Sequence, residues 1–269
     1  MEKEATICFI GAGNVATHLG QAVRQTAYRL TGIYSRTLAH AEELASRLGA
    51  EVTVTDSLAR LPQADIYIFM LKDAVLDSVA RQLHDTLPEA VTHSALFVHT
   101  AGSMPIETLS SRFTHSAVMY PLQSFSKDAT LPFREIPLFL ETSDPVAQAA
   151  TERLAHALSG QVSQLDSEGR RVLHLAGVLA NNFTNHCIAL AHDLLKQKGI
   201  DPHCLHAILK ETVSKALRMD PHEAQTGPAR RNDTNVMDLH LQMLHGNPEL
   251  QDVYRAMSRS ILKHFSPTP

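Results

Sequence analysis

Through residues 1–165, short runs of apolar and β-branched residues alternate with stretches in which apolar positions recur every three to four residues. That alternation predicts strands separated by helices, the pattern of a parallel α/β sheet. The strand runs are Thr6–Ile10, Leu30–Tyr34, Val52–Val54, Ile66–Leu71, Ala95–Thr100, Ala117–Tyr120, Pro137–Leu140 and Val162–Leu165. The helical stretches between them are Val15–Gln25, Ala39–Leu48, Ala74–Leu83 and Val146–Leu158. Gly49 stands where a C-cap glycine belongs, and Asp73 and Asp144 where N-caps belong. Beyond Leu165 the strand signal disappears. Ser167–Lys198 reads as one long helix stopped by Gly199. Asp201-Pro202 opens a helix through Leu217, and two more follow at Thr234–Leu244 and Pro248–Phe265. The expected fold class is α/β: a doubly wound parallel sheet over residues 1–166, then an all-helical domain over residues 167–269, with a frayed tail at Ser266–Pro269.

The first strand runs into Gly11-x-Gly13-x-x-Ala16. Gly11 allows the tight turn, Gly13 removes the side chain that would meet a pyrophosphate, and Ala16 keeps the helix near the strand. Asn14 and Val15 open that helix, whose free N–H groups and dipole favour an anion. This is the phosphate-binding corner of a Rossmann domain, or else a glycine turn that only makes a sharp bend. The coenzyme type is set where the second strand ends. An acid there would hold the ribose hydroxyls of NAD and repel a 2′-phosphate. The chain has Ser35, Arg36 and Thr37 instead. A planar guanidinium between two hydroxyls suits NADP, unless Arg36 is a solvated loop residue. Leu71 and Thr100 end the fourth and fifth strand runs, Gly102 follows, and all three are expected to line the coenzyme.

Composition narrows the alternatives. Net charge is −4 and aromatics are 5%, so neither a basic face nor a base-stacking surface for nucleic acid is expected. The opening residues lack a leader pattern, and no apolar run is long enough for a membrane helix. The 3 cysteines, Cys8, Cys187 and Cys204, are far apart, which points to reduced thiols and a cytoplasmic location. The 16 histidines show no metal-binding spacing, so no metal site is expected.

Several motifs together carry a resemblance. They are GAGNVA at residues 11–16, His99-Thr-Ala-Gly-Ser103, Tyr120-Pro-Leu-Gln-Ser-Phe125, His174 with Asn182-Phe183, and Thr226-Gly-Pro-x-x-Arg231-x-Asp233 with His240-Leu241. With them the chain resembles the 6-phosphogluconate-dehydrogenase-like superfamily, which includes pyrroline-carboxylate and ketopantoate reductases. More closely it is similar to a bacterial family that joins a Rossmann-like domain to a C-terminal domain of unknown function. Members are often described as deazaflavin-dependent NADP oxidoreductases. The family's usual glycine before the aspartate is Asn232 here, a residue that also tolerates left-handed backbone. The resemblance implies NADP as coenzyme, a small-molecule substrate and a homodimer.

Candidate chemistry lies at the carboxyl ends of the strands, where such sheets bind ligands. His99 is either a substrate contact or a strand cap. Tyr120 is a packed strand-end tyrosine or a proton donor. On the long helix His174, Val178, Asn181/Asn182 and Asn185 fall on one stripe. A polar stripe on an apolar helix needs partners or a ligand; a helix or dimer interface would also supply them. Hydroxyacid dehydrogenases of the superfamily place Lys-x-x-x-Asn here. Aligned on Asn182, the lysine position is Val178. That departure favours hydride exchange with a deazaflavin, or reduction of an activated imine, over simple keto-acid chemistry. Arg231 is expected to clamp a carboxylate or phosphate of the substrate, or to staple its loop through Asp233. The expectation is an NADP(H)-dependent oxidoreductase, with a non-catalytic NADP(H) sensor as the alternative from another class.

Overall fold

A computed structural model of the chain describes residues 5–129 and 131–265, so the expected fraying of Ser266–Pro269 lies outside the described residues. The chain forms two compact units, Met1–Asn182 and Phe183–Pro269.

All eight strand runs become strands of one sheet. In chain order the first unit contains β1 (Thr6–Ile10), α1 (Asn14–Val23), β2 (Arg29–Tyr34), α2 (Leu38–Leu48), β3 (Thr53–Thr55), β4 (Ile66–Phe69), α3 (Asp73–Thr86) and α4 (Glu89–Ser94). It continues with β5 (Leu96–His99), α5 (Glu107–Ser110), β6 (His115–Pro121), β7 (Leu138–Thr142), α6 (Pro145–Leu158), β8 (Val162–Gln164) and α7 (Ser167–Gly177). The sheet order is β3-β2-β1-β4-β5-β6-β7-β8. The order reverses between β1 and β4, which creates the switch point where doubly wound sheets take ligands.

The strands are apolar on both faces because helices cover both. Ile7 and Phe9 of β1 join the core under α1 and α2, while Cys8 and Ile10 join the core under α3. Tyr67, Phe97 and Phe113 stack in the second core, the last two with ring centres 3.7 Å apart.

One pairing differs from the expected parallel sheet: β7 runs antiparallel to β6, and β8 is parallel to β7. Among the described residues between β6 and β7, the only helical piece is a short 3-10 turn, Phe133–Glu135. Without a crossover helix the chain returns in the opposite direction.

Asp144 caps α6 as expected, accepting from the N–H groups of Val146 and Ala147 at 2.8 and 3.0 Å, with Pro145 in the first turn. Gly49 ends α2 at φ +54°. Asp73 is not a cap: Lys72 holds that position in extended backbone, and Asp73 accepts from the Ser103 hydroxyl across the loop.

The chain leaves α7 through a π-helical stretch, Val178–Phe183, instead of the continuous α-helix expected. Compactness divides the chain within this stretch, one helix later than the expected boundary at residue 166. Arg170 of α7 explains why. It is fully buried and bonds Glu141 of β7 and the Met104 carbonyl, each at 2.5 Å, which fastens α7 to the sheet.

The second unit contains α8 (Thr184–Lys196), α9 (His206–Arg218), α10 (Pro221–Ala224), α11 (Thr234–Met243) and α12 (Pro248–Phe265). Gly199 follows α8 at φ +68°. Asp201 caps a 3-10 turn, Pro202–Leu205, that leads into α9. Asn232 takes left-handed backbone at φ +53°, as its place in the motif requires. Among its described residues only Ala229, Met237 and Leu244 are buried apolar side chains, whereas Ile208, Val213, Leu217 and Met243 are exposed.

Candidate functional site

The carboxyl ends of β1, β4, β5 and β6 form one edge of the sheet, and the corner at Gly11 sits at its switch point. Gly11 donates its N–H to the Tyr34 carbonyl at 2.8 Å and has φ +118°. A Cβ there would stand 2.4 Å from the Met70 carbonyl oxygen. Gly13 is different: a Cβ there would meet nothing within 4 Å. Its backbone, φ −89° and ψ −164°, is open to any residue, and no side chain caps α1. The corner therefore leaves open space in front of the first N–H groups of α1, which fits a diphosphate.

The neighbouring loop carries Ser35, Arg36 and Thr37. Arg36 is exposed and has no partner among the described residues. The Ser35 N–H bonds the Thr55 carbonyl at 3.1 Å, holding the loop against β3. No carboxylate occupies the end of β2. Leu71 and Thr100 follow β4 and β5, and Thr100 is held by its N–H on the Phe69 carbonyl at 3.2 Å.

Next to this edge, within the first unit, lies a cavity of about 440 Å³ lined by Tyr120, Gln123, Ser124, His174, Asn181 and Asn182, with Leu122, Gly177, Val178 and Ala180. The π-helical stretch widens the turn, its bonds running i to i+5, and it brings consecutive residues Asn181 and Asn182 to the same wall. Asn185 of the expected stripe falls in the second unit. Val178, the position at which the resemblance would put a lysine, lines the cavity.

Sequence reasoning treated Tyr120 and His174 separately. The structure joins them: Tyr120 Oη and His174 Nδ1 are 3.0 Å apart. Tyr120 is also the packed strand-end residue expected, set among Ile106, Val118, Leu122, Phe139 and Leu173. Gly102, expected to line the coenzyme, has a further job. A Cβ there would be 2.7 Å from His174 Nδ1 and 2.9 Å from a Tyr120 ring carbon. Glycine at 102 leaves room for the pair.

His99 does not line this cavity. It is fully buried; its Nε2–H donates to the Pro105 carbonyl at 3.3 Å and its Nδ1 accepts from the Ala101 N–H at 3.2 Å. It caps the strand end, and the expected alternative of a substrate contact has no support. Burial first, then the charge of Arg170, lower its pKa to about 3, against the hydrogen bond to Pro105. The Arg170–Glu141 pair was not expected. Ser167 joins it, donating to Glu141 at 2.7 Å and accepting from Arg170 at 3.1 Å. A buried ion pair with this many bonds meets the condition for tolerating burial.

The loop after β6 is tied to α1 and α2. Asn14 donates its amide to the Phe125 carbonyl at 2.8 Å, and the His18 ring N–H donates to the Ser126 carbonyl at 2.8 Å. Lys127 pairs with Glu43 of α2 at 2.9 Å. Arg231, in the second unit, is exposed; the expected staple to Asp233 is absent, because Asp233 instead caps α11 through the Val236 N–H. A larger cavity, about 600 Å³, lies at the opposite, amino end of the strands, beside Asp65, Leu96 and His115.

Comparison with known proteins agrees with this geometry. Residues 6–95 match the family profile described as NADP oxidoreductase coenzyme F420-dependent, and residues 136–261 match a domain of unknown function, DUF2520. A Bacteroides fragilis protein provisionally described as an NADP oxidoreductase is 40% identical, with a TM-score of 0.89 over 97% of this chain and 98% of that one. A pyrroline-5-carboxylate reductase from Coxiella burnetii shares the fold at 17% identity, with a TM-score of 0.56 over 99% of this chain and 100% of that one. An imine reductase from Streptomyces aurantiacus does so at 13% identity and a TM-score of 0.67, covering 97% of this chain and 93% of that one. No curated protein matches the chain.

Proposed function

Because the chain belongs to the family of NADP oxidoreductases that joins a Rossmann-like domain to this domain of unknown function, we propose that it transfers a hydride between NADP(H) and a small molecule bound beside Tyr120 and His174. The observation that carries this is the open space at Gly13, with the exposed Arg36, which has no partner among the described residues, on the neighbouring loop. Gly11, Gly13, Asn14 and Val15 receive the diphosphate on backbone N–H groups. Ser35, Arg36 and Thr37 receive the 2′-phosphate, Arg36 through its planar fork. Leu71, Thr100 and Gly102 flank the nicotinamide. When bound, the reduced nicotinamide supplies the hydride. His174 and Asn182 orient the substrate from the α7 side of the cavity. The partner is a second copy of the chain, which would cover the apolar side chains that the second unit leaves exposed.

Fluorescence titration with NADPH and NADH tests the coenzyme assignment. NADPH binds more tightly to the wild type. Arg36→Ala removes charge-assisted bonds of about 1.5–3 kcal/mol and so weakens NADPH about 10- to 150-fold, while NADH affinity holds. Adding Ser35→Asp reverses the preference. Equal affinity of the wild type for the two coenzymes would refute the assignment.

A further inference from the structure

Tyr120 and His174 are far apart in sequence and converge in the cavity at hydrogen-bond distance. The pair is held from several sides. Apolar side chains fix the tyrosine ring. Arg170, one turn before His174, anchors α7 through Glu141. Gly102 supplies the gap that any larger residue would close. His174 is an exposed residue. The remaining polar lining is amide and hydroxyl: Gln123, Ser124, Asn181 and Asn182. Among the described residues, no Lys, Arg, Asp or Glu lines the cavity. Within it, Tyr120 and His174 are therefore the groups fitted to move a proton.

We propose that Tyr120 is the proton donor of the reaction and His174 its resupply, and that the substrate is a compound with a C=N or C=O bond whose heteroatom lies at the Tyr120 hydroxyl. This rests on the hydride-transfer function proposed above and narrows its substrate class. In the reducing direction the substrate carbon gains the hydride and the π pair moves onto its nitrogen or oxygen. That atom takes the Tyr120 proton. The tyrosinate regains a proton from His174 Nδ1–H, and Nε2 draws one from water. The coenzyme is oxidised, the substrate is reduced, and the net proton comes from solvent.

The resting state of Tyr120 supports the direction of transfer. Burial raises the Tyr120 hydroxyl above its ordinary range, and Arg170 opposes that rise, so the resting tyrosine is protonated. The charged and titratable groups facing it are His174 and Arg170 of α7, the latter bonded to Glu141 of β7. Hydride exchange with a deazaflavin depends on positioning and gives such a donor less to do.

The test compares wild type, Tyr120→Phe and His174→Ala. Acceptors are 2-methyl-1-pyrroline, pyrroline-5-carboxylate, ketopantoate and a deazaflavin. NADPH oxidation, NADPH affinity and the NMR signals of the His174 ring are measured. The wild type turns over a C=N or C=O acceptor. Tyr120→Phe lowers kcat at least about 100-fold, the scale of general acid catalysis, keeps NADPH affinity within about twofold, and shifts the His174 ring signals. Added imidazole restores part of the activity of His174→Ala. Three results would overturn the proposal: kcat of Tyr120→Phe within about threefold of wild type, His174 signals unmoved by that substitution, or turnover of the deazaflavin alone or of none of the four. Failure of the wild type to bind NADPH is separately visible and removes the hydride-transfer function itself.

Discussion

The two glycines of the phosphate corner separate structure from binding, because a methyl group means opposite things at each. At Gly11, alanine meets φ +118° and places its Cβ 2.4 Å from the Met70 carbonyl oxygen. That carbonyl cannot easily retreat, since the Met70 N–H is bonded to Ile10 at 2.9 Å. Positive φ costs a non-glycine residue about 1–2 kcal/mol, and overpacking costs about 1–3 kcal/mol more. Gly11→Ala therefore lowers stability by about 2–5 kcal/mol. At Gly13 the backbone is ordinary and the new methyl touches nothing. Gly13→Ala gains up to about 1 kcal/mol by restricting the unfolded chain. Yet the methyl occupies the space left for a diphosphate. Losing one or two charge-assisted bonds weakens NADPH by at least about tenfold. Urea unfolding and NADPH fluorescence, run on both variants, check this. Gly13→Ala that binds NADPH as the wild type does would show that the corner is not a phosphate site. Equal destabilisation by the two substitutions would show that the steric reasoning is wrong.

Size-exclusion chromatography with light scattering returns a dimer for the wild type. Leu217→Asp, at a position 83% exposed in the single chain, spares folding and shifts the mass toward a monomer; a wild type that is monomeric throughout would contradict the second-copy assignment. Stability depends on pH through His99. Its folded pKa, about 3, lies below the unfolded value near 6.5, so the unfolded chain binds the extra proton first. Stability is full above about pH 6.5 and falls steadily toward pH 3, and His99→Asn flattens that part of the urea-unfolding profile.

Much of the fold was legible because its signals are local. Eight strands announced themselves as apolar runs, and the glycine corner is a contiguous motif in which Gly11 has a geometric reason. The reversed direction of β7 was not legible, since it follows from a missing crossover helix in residues 122–137. The widened turn at Val178–Phe183 has no periodicity of its own in so short a stretch, so it reads as α-helix. Tyr120 and His174 were each visible as polar groups at the right edge, but their meeting depends on how α7 packs. That packing is set by Arg170 and Glu141, whose pairing leaves no trace in spacing. For His99 the sequence left a substrate contact and a strand cap equally open, and what bears on the choice is its burial, which sequence does not report.

The backbone after β6 serves two masters. Gln123 and Ser124 belong to the wall around Tyr120, and the very next carbonyl, Phe125, is gripped by Asn14 at the head of α1. That one hydrogen bond ties the head of α1 to the wall around Tyr120 within a single compact unit.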